Sequence, residues 1–241
     1  MERIRLVKAR PDQNGSIRAE AEDQEIITEV MSGKIVLLKG VFAANDAKRL
    51  RDLAFAWGRE QVRSEQQDFY SLARTNHFCF ERGVSRIQKT LHYYHSYNFN
   101  DFMTNLPQEL SRLLERFCIP LKNFYNRLVG GAADFVGEQR IHPQVIHYPS
   151  GAGHFARHSH VLEPQRIGVV TSLSQQGADF KQGGTGFEIE GDLVDTSSIH
   201  EIGDVILFRY DLPHWVSPID IEEAVESTSS RGRWTLVIPY Y

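Results

Sequence analysis

From residue 139 onward the chain breaks into short β-type runs, at 144–148, 167–173, 186–189, 204–210 and 233–240, with Gly, Pro, Asp and Ser between them. Several short strands separated by turn chemistry specify a sandwich or a barrel. The preceding segment has a different texture. Residues 34–42 form a short β-rich run. Asn45 or Asp46 then caps a helix to about residue 57, because Leu50, Leu53, Ala54 and Trp57 fall at helical spacing. Residues 106–128 read as helix broken near Pro120, with Leu110, Leu113, Leu114 and Phe117 as its packing face. The first thirty or so residues are polar and charged, a loose lead-in by composition. The aromatic-rich stretch 61–100 is ambiguous and suits a lid or a pocket wall. The expectation is a mainly β chain with N-terminal helices, α+β in class, forming a single domain over 1–241. Within it, 1–138 is a helical and supporting region and 139–241 the β core.

Composition narrows the function. A chain of 241 residues with 41% hydrophobic content can bury a real core. A net charge of −4 without a basic block argues against nucleic acid, whose binding rests on neutralising phosphates. No stretch approaches the ~20 apolar residues needed to cross a bilayer. The charged first ten residues lack the apolar centre of a secretory signal. Cys79 and Cys118 read as free thiols, which fits a cytoplasmic setting.

The histidines are unevenly spread. His154, His158 and His160 sit within seven residues, and His214 follows the run 204–210. Side chains alternate faces along a strand, so His158 and His160 point the same way. Two imidazoles on one face make half of a metal site; a third ligand must come from another strand, and His214 is placed to supply it unless it is an ordinary satisfied polar group. Imidazole suits divalent iron, and three facial ligands leave positions open for a co-substrate and oxygen. Asp211 is placed either to orient an imidazole or to form a turn. Tyr210 and Trp215 read first as barrel packing and second as pocket lining. His147 and His154 read first as structural and second as facing the cavity mouth. Gly183, Gly184 and Gly186 form a turn; no Lys-Ser/Thr follows them, so they do not read as a phosphate loop.

Four elements in order carry a family resemblance. They are Tyr148 to His158 with its Pro-Ser-Gly-Ala-Gly lead-in; Arg166 before an apolar run to Leu173, then Gly183-Gly184-Thr185; Gly203-Asp204 with an apolar run to Phe208 and His214; and Gly232-Arg233-Trp234-Thr235 on the last strand. This stretch of about 100 residues resembles the iron(II)/2-oxoglutarate-dependent dioxygenase superfamily, in particular its prolyl-hydroxylase-like branch. Residues 34–57 match the opening of such enzymes more weakly. The resemblance implies a double-stranded β-helix, or jelly-roll (cupin-like), core. It implies Fe(II) and 2-oxoglutarate as cofactors, with His158, His160 and His214 at the metal. It also implies that Arg233 and Thr235, on one strand face, hold the distal carboxylate of 2-oxoglutarate, with Arg231 as a fallback.

One departure stands out. The family's usual metal-binding Asp, two positions after the first histidine, is His160 here. Three readings are open: a three-histidine triad, a carboxylate such as Glu163 displacing His160, or a lost iron site. The implied activity is oxidation of a small-molecule substrate by molecular oxygen, by default hydroxylation, with release of succinate and CO2. The alternatives are a three-histidine cupin-type dioxygenase that needs no 2-oxoglutarate and a non-catalytic jelly-roll binding protein. Neither nucleic acid nor membrane is an expected partner.

Overall fold

The computed structural model describes residues 3–61, 74–84, 90–137, 140–226 and 228–240. The described elements run β1 (Ile4–Pro11), β2 (Ile17–Ala19), α1 (Asp23–Met31), β3 (Ile35–Lys39), α2 (Ala44–Glu60), β4 (Asn76–Val84), β5 (Leu91–Phe99) and α3 (Gln108–Val129). They continue as β6 (Gln144–Pro149), β7 (His154–His158), β8 (Ile167–Ser172), β9 (Gly184–Ile189), β10 (Asp192–Asp195), β11 (Val205–Arg209), β12 (His214–Ser217) and β13 (Gly232–Val237). The strands order as β10-β9-β12-β7-β5-β6-β13-β8-β11-β3-β1-β2, with β4 added on β5.

Two antiparallel quartets stand out, β7-β12-β9-β10 and β6-β13-β8-β11, and consecutive strands often lie in opposite quartets. That interleaving is the jelly roll. The quartets face each other: Phe187 of β9 meets Phe208 of β11 at 5.0 Å between ring centroids. Strand β5 joins them, pairing with β6 through His95–Asn98 and with β7 through His92 and Tyr93.

Alternation along β13 separates core from cavity. Trp234 and Leu236 enter the core shared with the helices, while Arg233, Thr235 and Val237 line the barrel interior. Trp234 is fully buried, stacks on His147 at 4.1 Å and donates from Nε1 to the Ser230 carbonyl. Two glycines are required by close approach. A Cβ at Gly168 would lie 2.2 Å from the Phe208 ring, and one at Gly203, where φ is +89°, would lie 2.1 Å from the Phe42 carbonyl oxygen.

Several expectations change. The first thirty residues are not a loose lead-in: β1 pairs in parallel with β3, β2 returns on β1, and α1 follows. Only Val7 and Ala9 of β1 are buried, so charged residues on its outer face mask the strand pattern. The region before 138 therefore supplies five strands as well as three helices among the described residues. Helix α2 starts after Ala43 with no side-chain cap, and Asp46 pairs instead with Arg116 at 2.6 Å. Helix α3 runs unbroken through Pro120. Proline costs a helix interior ~3 kcal/mol; here a buried face from Leu110 to Leu128 offsets it. Part of 61–100 forms the β4–β5 hairpin, while 62–73 and 85–89 lie outside the described residues.

Three histidines away from the metal candidates are buried and neutral. Burial lowers His95 to about 4, and lowers His147 and His200 to about 3. The unfolded chain takes up these protons near pH ~6.5, the folded chain only far below. Stability should be complete above that value and fall as the pH drops towards 4, by roughly 1 kcal/mol per pH unit for each group. Urea midpoints between pH 8 and pH 5 check this. Trp234→Ala should cost about 3–5 kcal/mol in the same assay.

Candidate metal centre

Strands β7 and β12 run antiparallel with His158 directly opposite His214. Opposed residues of a ladder share one sheet face, with Cβ atoms ~5 Å apart. Both imidazoles therefore turn into the barrel, and their ring centroids lie 4.3 Å apart. β7 ends at His158, so strand alternation does not hold His160. Its ring instead stacks on Tyr210 at 4.2 Å, with the planes 4° apart. His160 lies 5.0 Å from His158 and 5.3 Å from His214 between centroids. One donor nitrogen from each of the three falls within 4.8 Å of the other two.

Local hydrogen bonds fix two of the tautomers. Nδ1 of His158 lies 2.9 Å from the Ala156 carbonyl, and Nδ1 of His214 lies 2.8 Å from the Leu212 carbonyl. A carbonyl only accepts, so each Nδ1 carries the proton and the lone pair sits on Nε2. The walls behind are apolar: Phe155 stacks on His158 at 4.0 Å, and Phe208 meets His214 edge-on at 4.8 Å. Burial lowers all three imidazoles. It takes His160 to about 4, with the neighbouring His158 adding to the effect, and puts His214 well below its usual value. The set is neutral at physiological pH, the form that binds metal.

Glu163 lies outside this cluster. It is exposed and sits 3.6 Å from Arg166, so the third donor in place is His160. Asp211 does not orient an imidazole; it accepts from Arg209 Nε at 2.6 Å. His147 is structural, bonded to His95 and to the Arg231 carbonyl.

The three imidazoles open on a cavity of about 300 Å³. Arg233 lies in its wall, 4% exposed, and donates from Nη2 to Thr185 Oγ1. Its guanidinium carbon is 5.9 Å from the Tyr148 ring centroid. Burial lowers Arg233 to about 10, which still leaves it charged at neutral pH. Among the described residues it forms no ion pair; the carboxylate that influences it, Asp195, is exposed and bonded to Ser197. Thr235 is on the same strand face and lines the same cavity. Arg231, the fallback, is exposed and pairs with Glu223 at 3.0 Å. Tyr210 and Trp215 both line the cavity in addition to packing.

Sequence reasoning read Tyr94 as packing within a stretch suited to a pocket wall, and missed Gln144 and Gln165 in the wall and Thr185 as the partner of Arg233. Tyr148 was legible only as part of a motif, yet it stands opposite Arg233 in the β6–β13 register. Thr185 directly follows the glycine pair, which is the one signal that marked it.

The donor set fits a divalent cation: three neutral nitrogens, an aromatic backing from Phe155 and Phe208 and, among the described residues, no competing ammonium in the lining. His158→Ala, His160→Ala and His214→Ala should each weaken Fe(II) or Co(II) binding at least ~10-fold, whereas Glu163→Ala should leave it unchanged. Calorimetric metal titration of the folded variants checks this.

No family model matches the sequence, and no curated protein matches it significantly. Solved structures do match in shape. A Pseudomonas putida prolyl-4-hydroxylase superposes with a TM-score of 0.57 at 12% identity, covering 91% of this chain and 98% of the other. A Burkholderia pseudomallei oxidoreductase of the 2OG-Fe(II) oxygenase family gives 0.55 at 15%, covering 92% and 91%. A full-length Neurospora crassa protein in complex with alpha-KG gives 0.57 at 12%, covering 95% and 86%. At this identity the likeness speaks for architecture: the chain has the jelly-roll fold found in solved prolyl hydroxylases and 2OG-Fe(II) oxygenases.

Proposed function

We propose that this protein is a non-haem Fe(II)- and 2-oxoglutarate-dependent oxygenase acting on a small molecule. The observation that carries the reading is a charged guanidinium, buried without a carboxylate partner among the described residues, in the same cavity as three convergent imidazoles. A buried charge is costly unless paired, so a site that keeps one is built for an anion. Iron would be held by His158, His160 and His214. The distal carboxylate of 2-oxoglutarate would be held by Arg233 and Thr235, since a guanidinium grips a carboxylate with two parallel hydrogen bonds. The shared fold supports the pairing, as the Neurospora crassa protein solved with alpha-KG has this architecture.

Bound together, the metal and co-substrate supply, with oxygen, an oxidant able to attack unactivated C–H bonds, with succinate and CO2 as by-products. The residues of the chain do the positioning. The Ala156 and Leu212 carbonyls hold the tautomers of His158 and His214, and Tyr210 holds the plane of His160. Thr185 braces Arg233 from the opposite quartet. Phe155, Phe187 and Phe208 exclude water behind the metal ligands. Tyr148, pushed up to about 12 by burial, stays protonated. Hydroxylation is the default outcome of such a site.

A second reading has one observation in its favour: the triad holds no carboxylate, which suits a cupin-type dioxygenase needing no 2-oxoglutarate. Anaerobic addition of 2-oxoglutarate to the Fe(II) protein separates the two. A visible charge-transfer band is expected, and its absence would overturn the proposal. Arg233→Ala should weaken 2-oxoglutarate binding ~100-fold and leave Fe(II) affinity within about 2-fold. If the variant oxidises substrate undiminished, the second reading holds.

A further inference from the structure

The charge carried by the cavity wall points to the class of molecule it accepts. Beside the three histidines and the apolar residues, the wall holds tyrosines, threonines, two glutamines and Arg233. Among the described residues Arg233 is the one ionised side chain in it, and no Asp, Glu or Lys takes part. Arg157 and Glu188, near the metal-bearing strands, pair with each other and do not line the cavity.

The balance follows from these residues and rests on the functional reading above. Two positive charges on the metal and one on Arg233 meet two negative charges on 2-oxoglutarate. The three imidazoles contribute none, since an imidazole that ligates a metal is neutral. One positive charge is left over beside the buried Arg233, in a small chamber lined by apolar and uncharged polar side chains, where an unbalanced charge is poorly solvated. An aspartate at position 160 would have cancelled it.

We infer that the substrate is a small organic acid whose single negative charge completes this balance. Coulomb attraction in a poorly hydrated site acts over the whole chamber, so the acid group needs no dedicated cationic partner in the wall. Gln144, half-buried on β6, and Tyr94 on β5 offer uncharged polar groups for its oxygens. The cavity of about 300 Å³ lies at the small end of ligand sites and has to hold 2-oxoglutarate as well, which limits the acid to a compact one. A free inorganic monoanion has the same charge, so the test must separate the two.

The Fe(II)–2-oxoglutarate protein is titrated anaerobically with acetate, benzoate, chloride and azide, and with acetamide and benzamide as neutral counterparts. The readouts are heat and displacement of the charge-transfer band. Carboxylates should bind at least ~10-fold tighter than their amides, and His160→Asp, which restores a negative ligand, should remove most of that preference. A screen of paired acids and methyl esters on the unmodified protein supplies a measurement independent of the variant's folding: acids should stimulate succinate release and esters should not. Equal binding of acids and amides, or esters turned over as well as acids, overturns the inference. Tight binding of chloride or azide with no carboxylate preference assigns the charge to an inorganic ion and overturns it too. If 2-oxoglutarate raises no band, the functional reading fails and the inference with it; a band without anion preference sinks the inference alone.

Discussion

The register between β7 and β12 is the constraint on which the rest of the site depends. His158 and His214 are opposed across that ladder, and side chains alternate faces with period two. A slip by one residue would turn His214 to the outer face and break its approach to His158 and His160. The bulge between His214 and Val216 absorbs the mismatch further along, so that Phe155 still faces Val216 inside the barrel. The neighbouring pairing of β12 with β9 aligns His214 with Phe187, which sets an aromatic wall behind the ring. A strand of four residues is thus fixed from both sides, and the imidazole it carries has little freedom.

The second fixed point is β13. Trp234 is held in the helix-backed core by His147, Tyr97 and Phe55, and its burial holds the strand in place. Arg233 and Thr235 then have one direction to face, into the cavity. Burial of Trp234 and presentation of Arg233 are two outcomes of the same alternation. The cost of desolvating the guanidinium is borne by a strand paired on both edges, with β6 and β8.

Most of the architecture was legible because the β core repeats a simple signal. Runs bounded by Gly, Pro and Asp became β6, β8, β9, β11 and β13 to within a few residues. The metal candidates were legible because His158, His160 and His214 form an unusual cluster, and the three do converge. Strand alternation is not what brings His160 there: it is placed by stacking on Tyr210 after the strand ends, a contact between residues fifty apart that spacing does not encode. The start of the chain was illegible because β1 lies near a sheet edge, where outward charges outnumber buried apolar residues. The start of α2 without a cap and the passage of α3 through Pro120 depart from the sequence reading because tertiary burial outweighs local preference. The contact of Thr185 with Arg233 could be found only from coordinates, since the two lie on opposite quartets.

Strand β5 pairs with both quartets, whereas among the described residues no ladder joins β10 to β11. The shell is therefore sewn along one side only. Along the sewn side, ladder hydrogen bonds hold the spacing of the walls; between the facing quartets, side chains such as Phe187 on Phe208 and Thr185 on Arg233 bridge the interior. The Thr185–Arg233 hydrogen bond crosses from one wall to the other, so where the guanidinium sits depends on how far apart the two quartets stand.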